Sequence, residues 1–218
     1  MNVLSVDLEM NQPSGKIIQI GACAGKIRTG EVIETFSRMV KIDEPITEFI
    51  TQLTGITQEM NDAGVSLVEA YEDLRKFRRH HKCHKQTIAW GQGDMRVLKE
   101  QVKAMLPPGP DTWWDFGIRF FDAKTIFQTL MLANDKSLKA GLAKCLETLG
   151  MVFIGNPHDG KDDSVNTFYA FIKMAHMLRG ALNPPVVIQI EMPKGPLEYK
   201  ISRPVEGEQW NDPSKVKV

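Results

Sequence analysis

The chain has 218 residues, 42% of them hydrophobic and 25% charged, which is the balance of an ordinary globular protein. A chain of this length buries a full hydrophobic core without disulfide bonds, so we expect one main domain with a small addition. The 27 basic and 27 acidic residues give zero formal net charge, which taken alone argues against a simple basic nucleic-acid-binding domain.

The first forty residues predict three β-strands. Alternating and β-branched residues mark residues 3–8, 16–23 and 31–40, and turn-forming residues separate these segments. Successive strands joined by short turns favour an antiparallel meander.

From residue 45 onward, helical spacing alternates with short apolar segments. Interior strands are predicted at residues 87–90 and 118–121. Helices are predicted at residues 46–53, 66–79, 94–105, 124–132, 138–149 and 164–178. Ser137 is the expected N-cap of the fifth of these helices. The order of elements predicts an α/β fold in which helices pack on a central sheet.

The composition changes again after Pro184 and Pro185. Residues 186–192 and 197–202 alternate like strands, and a turn rich in proline and glycine joins them, so we expect a C-terminal β-hairpin. This gives a main domain over residues 1–180 and a hairpin and tail over residues 181–218. The hairpin is expected to cover a sheet edge, to contact substrate or to form a homo-oligomer contact, and the sequence does not choose between these roles.

A pair of acids inside the first predicted strand carries the strongest chemical signal. Asp7 and Glu9 are two residues apart, so their side chains project from the same face of the strand. Two neighbouring carboxylates repel each other near a core unless a cation neutralises them, and Mg²⁺ or Mn²⁺ suits oxygen ligands. The alternative is that one acid is solvated at the strand end and the other caps a turn.

Further acids begin two of the predicted helices. Asp94 follows the interior strand at residues 87–90 and is expected at the sheet edge where ligands bind in open α/β sheets. Asp163 begins the last helix, five residues after His158. The alternatives are a plain N-cap role for Asp94 and favourable helix-terminal charge for Asp162 and Asp163.

Together these residues resemble a known family. Asp7-Leu8-Glu9, then Asp94 in Trp-Gly-Gln-Gly-Asp-Met-Arg-Val-Leu, then His158 with four residues before Asp163, resemble the three motifs of the DEDDh 3′-to-5′ exonucleases. The similarity to this DnaQ-like family covers roughly residues 3–178 and includes segments at 17–22 and 53–57. The third motif resembles the histone-mRNA 3′-exonuclease type, and Asp7-Leu8-Glu9-Met10 resembles oligoribonuclease.

The resemblance implies a fold and an activity. The fold is a ribonuclease H-like mixed sheet, an antiparallel meander followed by parallel strands, flanked by helices. The activity is 3′-to-5′ hydrolysis of single-stranded RNA or DNA ends to nucleoside 5′-monophosphates.

Carboxylate chemistry and the resemblance also imply a site with two divalent metal ions, Mg²⁺ or Mn²⁺. His158 is the implied general base, because histidine exchanges protons readily near neutral pH. Family spacing favours Asp163 over Asp162 as a ligand. Met10 replaces the threonine of many relatives and is expected to contact substrate through its backbone. The implied metal ligands are Asp7, Glu9, Asp94 and Asp163.

Two other functions stay open at this level. One is an oligoribonuclease-like enzyme for very short RNAs, and the other is a non-catalytic nucleic-acid-binding module with the same fold. Residues 75–103 hold nine lysines and arginines but only two acids, which indicates either a surface that guides a nucleic-acid backbone or a solvated helix face. The aromatic residues between 113 and 121 are expected to pack in the core rather than stack on bases.

The cysteines and the N-terminus bear on location. Cys23, Cys83 and Cys145 are far apart and form no CxxC pair, so we interpret them as reduced thiols. Asp7 and Glu9 interrupt any apolar signal segment, and no run approaches the ~20 apolar residues of a membrane span. These features predict a soluble cytoplasmic protein.

Overall fold

The computed structural model describes residues 1–117, 119–131 and 141–181. Within these ranges the chain forms strands and helices in mixed order. The strands are β1 (Asn2–Met10), β2 (Ile17–Lys26), β3 (Val32–Met39), β4 (Cys83–Ala89) and β5 (Phe121–Asp122). The helices are α1 (Glu48–Thr54), α2 (Gln58–Asp62), α3 (Leu67–His80), α4 (Asp94–Met105), α5 (Ala123–Leu130), α6 (Leu142–Thr148) and α7 (Gly160–Ala181), with a 3₁₀ turn at Asp111–Trp113.

The strands form one mixed sheet in the order β3-β2-β1-β4-β5. β1, β2 and β3 pair antiparallel, whereas β4 pairs parallel with β1 and β5 pairs parallel with β4. This arrangement confirms the predicted α/β fold, an antiparallel meander followed by parallel strands. β1 is the central strand, so its side chains lie between helices on both faces.

Alternation along β1 divides its side chains between two cores. Leu4, Val6 and Leu8 belong to the core that includes residues of α3 and α4. Val3 belongs to the opposite core, which includes residues of α5, α6 and α7. Asp7 and Glu9 share the parity of Val3, so the acid pair lies on the face of the sheet that α7 covers.

Two helices show how local sequence sets the boundaries. The N-cap of α3 is Ser66, whose hydroxyl accepts a hydrogen bond from the backbone N–H of Glu69 at 3.2 Å, and the helix buries Leu67, Ala70 and Leu74 against the sheet. The C-cap of α1 is Gly55, which has a φ of 76°, a left-handed conformation that glycine adopts without strain.

Several element boundaries differ from the sequence-based expectation. β4 begins at Cys83 rather than near residue 87, because its first half is partly exposed and lacks a continuous apolar run. β5 has only two residues, and α2 was not predicted. α7 begins at Gly160, four residues earlier than expected. The helix predicted at residues 138–149 is α6, whose N-cap is Gly141, so the predicted N-cap role of Ser137 for this helix is wrong. Ser137 itself and the predicted strand residue Ile118 lie outside the described residues.

The chain divides into two compact units, Met1–Met174 and Ala175–Val218. The first unit contains the whole sheet and all the candidate site residues. Of the second unit, the structure describes only residues 175–181 at the end of α7, so the C-terminal hairpin and the boundary near residue 180 stay predictions. Across the described ranges, no helix has the length and apolar character needed to cross a membrane.

Candidate active site

The acid pair lies near the carboxyl end of the central strand. Asp7 is half-buried and Glu9 is only 8% exposed. In the sheet register Asp7 lies opposite Gly21 and Glu9 opposite Gln19, and the register shifts between Glu9 and Met10. Met10 is half-buried and packs against the core on the other face, and its predicted role as a substrate contact stays a prediction.

The third acid reaches this region from the neighbouring parallel strand. β4 ends at Ala89, and a short loop carries the chain to α4, whose first residue is Asp94. Gly93 occupies the N-cap position, so the plain N-cap interpretation of Asp94 is wrong. Its carboxylate lies near enough to Asp7 for the charge of Asp94 to raise the pKa of Asp7.

The start of α7 lies directly against β2. The amide oxygen of Gln19 accepts a hydrogen bond from the backbone N–H of Gly160 at 2.9 Å, and the amide nitrogen of Gln19 donates to Ser37 at 3.2 Å. A Cβ atom on Gly21 would lie 1.9 Å from the carbonyl carbon of Gly160, so only glycine permits this approach. The contact sets α7 beside the acid pair.

At this contact, His158 lies in the loop just before α7, and Asp163 lies in the first turn of α7. The backbone N–H of His158 donates to a carboxylate oxygen of Asp163 at 3.1 Å, and His158 has a φ of 64°. One potential ligand atom from each of Glu9, His158 and Asp163 lies within 4.8 Å of the others. The chain therefore brings the second acid of β1 and the third motif together.

The two other acids near the start of α7 have different surroundings. Asp162 accepts a hydrogen bond from the backbone N–H of Asn156 at 2.9 Å and pairs with the ammonium of Lys161 at 3.1 Å. Asp159 accepts from the backbone N–H of Lys161 at 2.9 Å, yet its charge still reaches Glu9. Asp159 was not predicted as a site residue. The signal in the sequence that could have identified it is its position just before a helix.

Burial and mutual repulsion make these carboxylates unusually basic. Burial, with added repulsion from Asp163, raises the pKa of Glu9 to about 8 and that of Asp94 to about 7. Burial raises the pKa of Asp163 to about 6, although the hydrogen bond from the His158 backbone opposes this shift. Burial followed by the charges of Asp94 and Asp163 raises the pKa of Asp7 well above its usual range.

This arrangement has the chemistry of a site for hard divalent cations. The repulsion among the four carboxylates is opposed at Asp163, where burial raises the pKa but a hydrogen bond and a charge interaction with His158 lower it. Oxygen-rich clusters of this kind bind Mg²⁺ or Mn²⁺. The residues present therefore fit the cofactor that the motifs imply. The four carboxylates are those of Asp7, Glu9, Asp94 and Asp163.

Curated relatives and solved structures resemble this chain. ERI1 exoribonuclease 2 from Mus musculus is 32% identical over 179 residues, covering 74% of this chain and 25% of the relative, so the chain spans about a quarter of the length of its curated relatives. The nuclease domain of 3′hExo, a DEDDh family member bound to rAMP, is 20% identical and has a TM-score of 0.66, covering 81% of this chain and 92% of that one.

A third similar structure is that of Schizosaccharomyces pombe Pop2p in its Mg²⁺- and Mn²⁺-bound form. It is 18% identical with a TM-score of 0.59, covering 79% of this chain and 82% of that one. These structural likenesses confirm the ribonuclease H-like fold. The exonuclease family model named RNase_T matches residues 4–171, which include every motif residue discussed above. The chain therefore belongs to the RNase_T exonuclease family.

Proposed function

We propose that this domain is a divalent-metal-dependent 3′-to-5′ exonuclease that removes nucleoside 5′-monophosphates from single-stranded RNA. The observation that carries the proposal is the buried carboxylate cluster beside His158, in a chain of the exonuclease family. A cluster of this charge is costly to bury for stability alone, which favours a functional reason for it.

The proposed metal ligands are Asp7, Glu9, Asp94 and Asp163, holding two ions of Mg²⁺ or Mn²⁺. When bound, such ions supply Lewis-acid stabilisation of the negative charge on a phosphodiester. The four side chains come from β1, the start of α4 and the first turn of α7, which are rigid elements. Rigid placement of this kind favours precise positioning of a phosphate in line with a water molecule.

His158 is the proposed general base. Its ring lies beside Glu9 and Asp163, and its side chain is exposed, so a proton taken from the attacking water can pass to solvent. The backbone hydrogen bond to Asp163 holds the residue in a left-handed conformation that histidine adopts more readily than most residues.

RNA is the proposed substrate because the curated relatives are named exoribonucleases. The relatives are about four times longer than the matched region, so their own substrates do not transfer automatically to this domain. DNA is therefore tested in parallel.

The test is to incubate the protein with a 5′-labelled single-stranded RNA of about 20 nucleotides and with matched DNA, in Mg²⁺, Mn²⁺ or EDTA. We expect a ladder that shortens from the 3′ end, release of nucleoside 5′-monophosphates, and no reaction in EDTA. Asp7→Asn should abolish the ladder, because it removes a proposed ligand while keeping the side-chain shape. Internal cuts, intact RNA or equal activity in EDTA would contradict the proposal. Turnover of only dinucleotides would favour the oligoribonuclease-like alternative.

A further inference from the structure

A cavity of about 560 Å³ borders the start of α4, the helix whose first residue is Asp94, and has a different chemistry from the candidate active site. Its size is within the range of natural ligand pockets. Two of its lining residues, Gln92 and Met95, flank Asp94 in the sequence, so the cavity begins next to the third acid of the site. We call it the basic groove and define it by Met95, Arg96, Lys99, Trp114, Arg119 and Phe120.

The rim of the basic groove is positively charged. Arg96 and Lys99 are three residues apart on α4 and share one helix face, and Arg119 approaches from the segment before β5. Arg96 and Arg119 are exposed, and in the part of the chain that the structure describes neither forms an ion pair or a side-chain hydrogen bond. Their charges are therefore available to an anionic ligand.

The acid that lines the basic groove is already engaged. Asp122 is the N-cap of α5, and its two carboxylate oxygens accept hydrogen bonds from the backbone N–H and the hydroxyl of Thr125, at 3.0 and 2.7 Å. Arg96 and Arg119 thus place two exposed positive charges on the lining, against the one negative charge of Asp122, which caps a helix. This balance favours an anion with more than one negative group, such as a polynucleotide backbone.

The inner wall of the basic groove is apolar and held rigid. Trp114 stacks on Tyr71 with ring centroids 5.7 Å apart and an angle of 4° between the ring planes, and the ammonium of Lys99 lies 5.7 Å from the Trp114 centroid. Core packing of this aromatic cluster is therefore as expected, but Trp114 and Phe120 stay half-buried and face the cavity. Apolar side chains below a cationic rim suit a nucleobase attached to its phosphate.

We infer that the basic groove binds the nucleotides of a single-stranded RNA just upstream of the 3′-terminal residue, with Arg96 and Arg119 contacting internal phosphates. The inference rests on the proposed function, because the acidic cluster would hold the 3′-terminal phosphodiester. The basic groove then makes hydrolysis depend on the length of the substrate, because the shortest oligonucleotides have no phosphate that reaches it.

The experiment compares the full chain with the double variant Arg96→Ala/Arg119→Ala. The matched control is Arg28→Ala, which removes an exposed arginine from the turn between β2 and β3. This turn follows the end of β2 that pairs with the start of β1, so Arg28 lies away from Asp7 and Glu9 at the other end of β1. The readout is the ratio of kcat/KM for an RNA of about 12 nucleotides to kcat/KM for the shortest oligonucleotide that the unsubstituted protein hydrolyses. We expect this ratio to fall at least about tenfold in the double variant and to change by less than about twofold in Arg28→Ala.

A binding measurement makes the test independent of catalysis. In EDTA, fluorescence anisotropy with the same labelled RNA should show at least about tenfold weaker binding by the double variant than by Arg28→Ala. The slope of log affinity against log salt should become shallower by about 1.4, or about 0.7 for each lost phosphate contact.

The outcomes separate the two proposals. If the unsubstituted protein hydrolyses no RNA, the proposed exonuclease function fails, and the binding measurement still decides the role of the basic groove. If hydrolysis occurs but the length ratio and the affinity of the double variant match those of Arg28→Ala, the groove proposal is overturned while the exonuclease function stands. Arg96→Lys/Arg119→Lys should retain most of the affinity, whereas a loss as large as that of the alanine variant would overturn a role for charge.

Discussion

At the scale of single residues, the candidate site consists of carboxylates that would destabilise the chain if each were alone. Glu9 is 8% exposed, and Asp7, Asp94 and Asp163 are half-buried. In addition to burial, the charges of Asp94, Asp163 and Glu9 each raise the pKa of Asp7, and that of Asp163 also raises the pKa of Glu9 and Asp94, so no ordinary structural role explains the set. Divalent cations would convert this repulsion into attraction.

His158 gives the sharpest prediction for a single side chain. His158→Asn should lower kcat by about 10²–10⁴-fold, because it removes the proposed general base, while asparagine still tolerates the left-handed backbone at φ 64°. Steady-state hydrolysis of labelled RNA measures the effect, and the melting temperature should stay close to that of the unsubstituted protein. His80→Gln, at an exposed position on α3, is the control. Unchanged kcat in His158→Asn would remove the histidine from the mechanism.

At the scale of elements, the contact between α7 and β2 determines the geometry of the site. The start of α7 carries the third motif, and Gly21 together with the Gln19 amide holds it against the strand next to β1. A second hydrogen bond between β2 and α7 runs from the thiol of Cys23 to the carbonyl oxygen of Ser164 at 3.6 Å. The site is therefore only as precise as this helix–sheet contact.

Gly21→Ala tests the contact. The new Cβ would lie 1.9 Å from the carbonyl carbon of Gly160 and 2.2 Å from the backbone nitrogen of Lys161, so the helix must move. We expect the free energy of unfolding to fall by at least about 2 kcal/mol and nuclease activity to fall with it. Urea denaturation and RNA hydrolysis measure the two effects. Gly109→Ala is the control, because the nearest atom to its Cβ would be 3.9 Å away; equal stability of the two variants would contradict the account.

The sequence predicted the elements whose pattern is local. Strand alternation was enough to place Asp7 and Glu9 on one face, and the helix that begins near Asp94 followed from its own spacing. Features that depend on distant residues were missed. α7 begins four residues early because the amide of Gln19, 141 positions away in the sequence, accepts from Gly160, and Asp159 lies near Glu9 only once that helix is in place.

At the scale of the whole molecule, the zero net charge conceals a separation of charge. Four of the 27 acids belong to the proposed metal site, and the other residues carry an excess of four positive charges. If two divalent ions neutralise those acids, the working protein has a net charge of about +4. A formal net charge of zero in the metal-free chain is therefore compatible with a nucleic-acid partner.

The stability of the metal-free protein should depend on pH in an unusual direction. Folding raises the pKa of Glu9 from 4.5 to about 8 and that of Asp94 from 3.8 to about 7, so the folded state binds more protons than the unfolded chain between these values. The contribution of these two carboxyl groups to the free energy of unfolding is therefore fully present below about pH 4 and is lost as the pH rises to about 8. Carboxylates with lowered pKa values, such as that of Asp73, change the stability only at pH values below this range.

Melting temperatures in EDTA from pH 5 to 8 measure this effect. The decrease should be smaller in Glu9→Gln, which cannot ionise, and Mg²⁺ or Mn²⁺ should raise the melting temperature of the unsubstituted protein more at pH 8 than at pH 5. A melting temperature that rises through this range equally in both proteins would contradict the raised pKa of Glu9.

Two adjacent aspartates test most directly whether this carboxylate cluster performs the proposed hydrolysis. Asp163 lies with Glu9 and His158, whereas Asp162 pairs with Lys161 and accepts from the Asn156 backbone, a bond that an asparagine oxygen can keep. The measurement is the rate of 3′-end shortening of labelled RNA by Asp163→Asn and by Asp162→Asn. We expect a loss of at least about 10³-fold in Asp163→Asn and less than about threefold in Asp162→Asn. Equal rates in the two variants, or the larger loss in Asp162→Asn, would contradict the account.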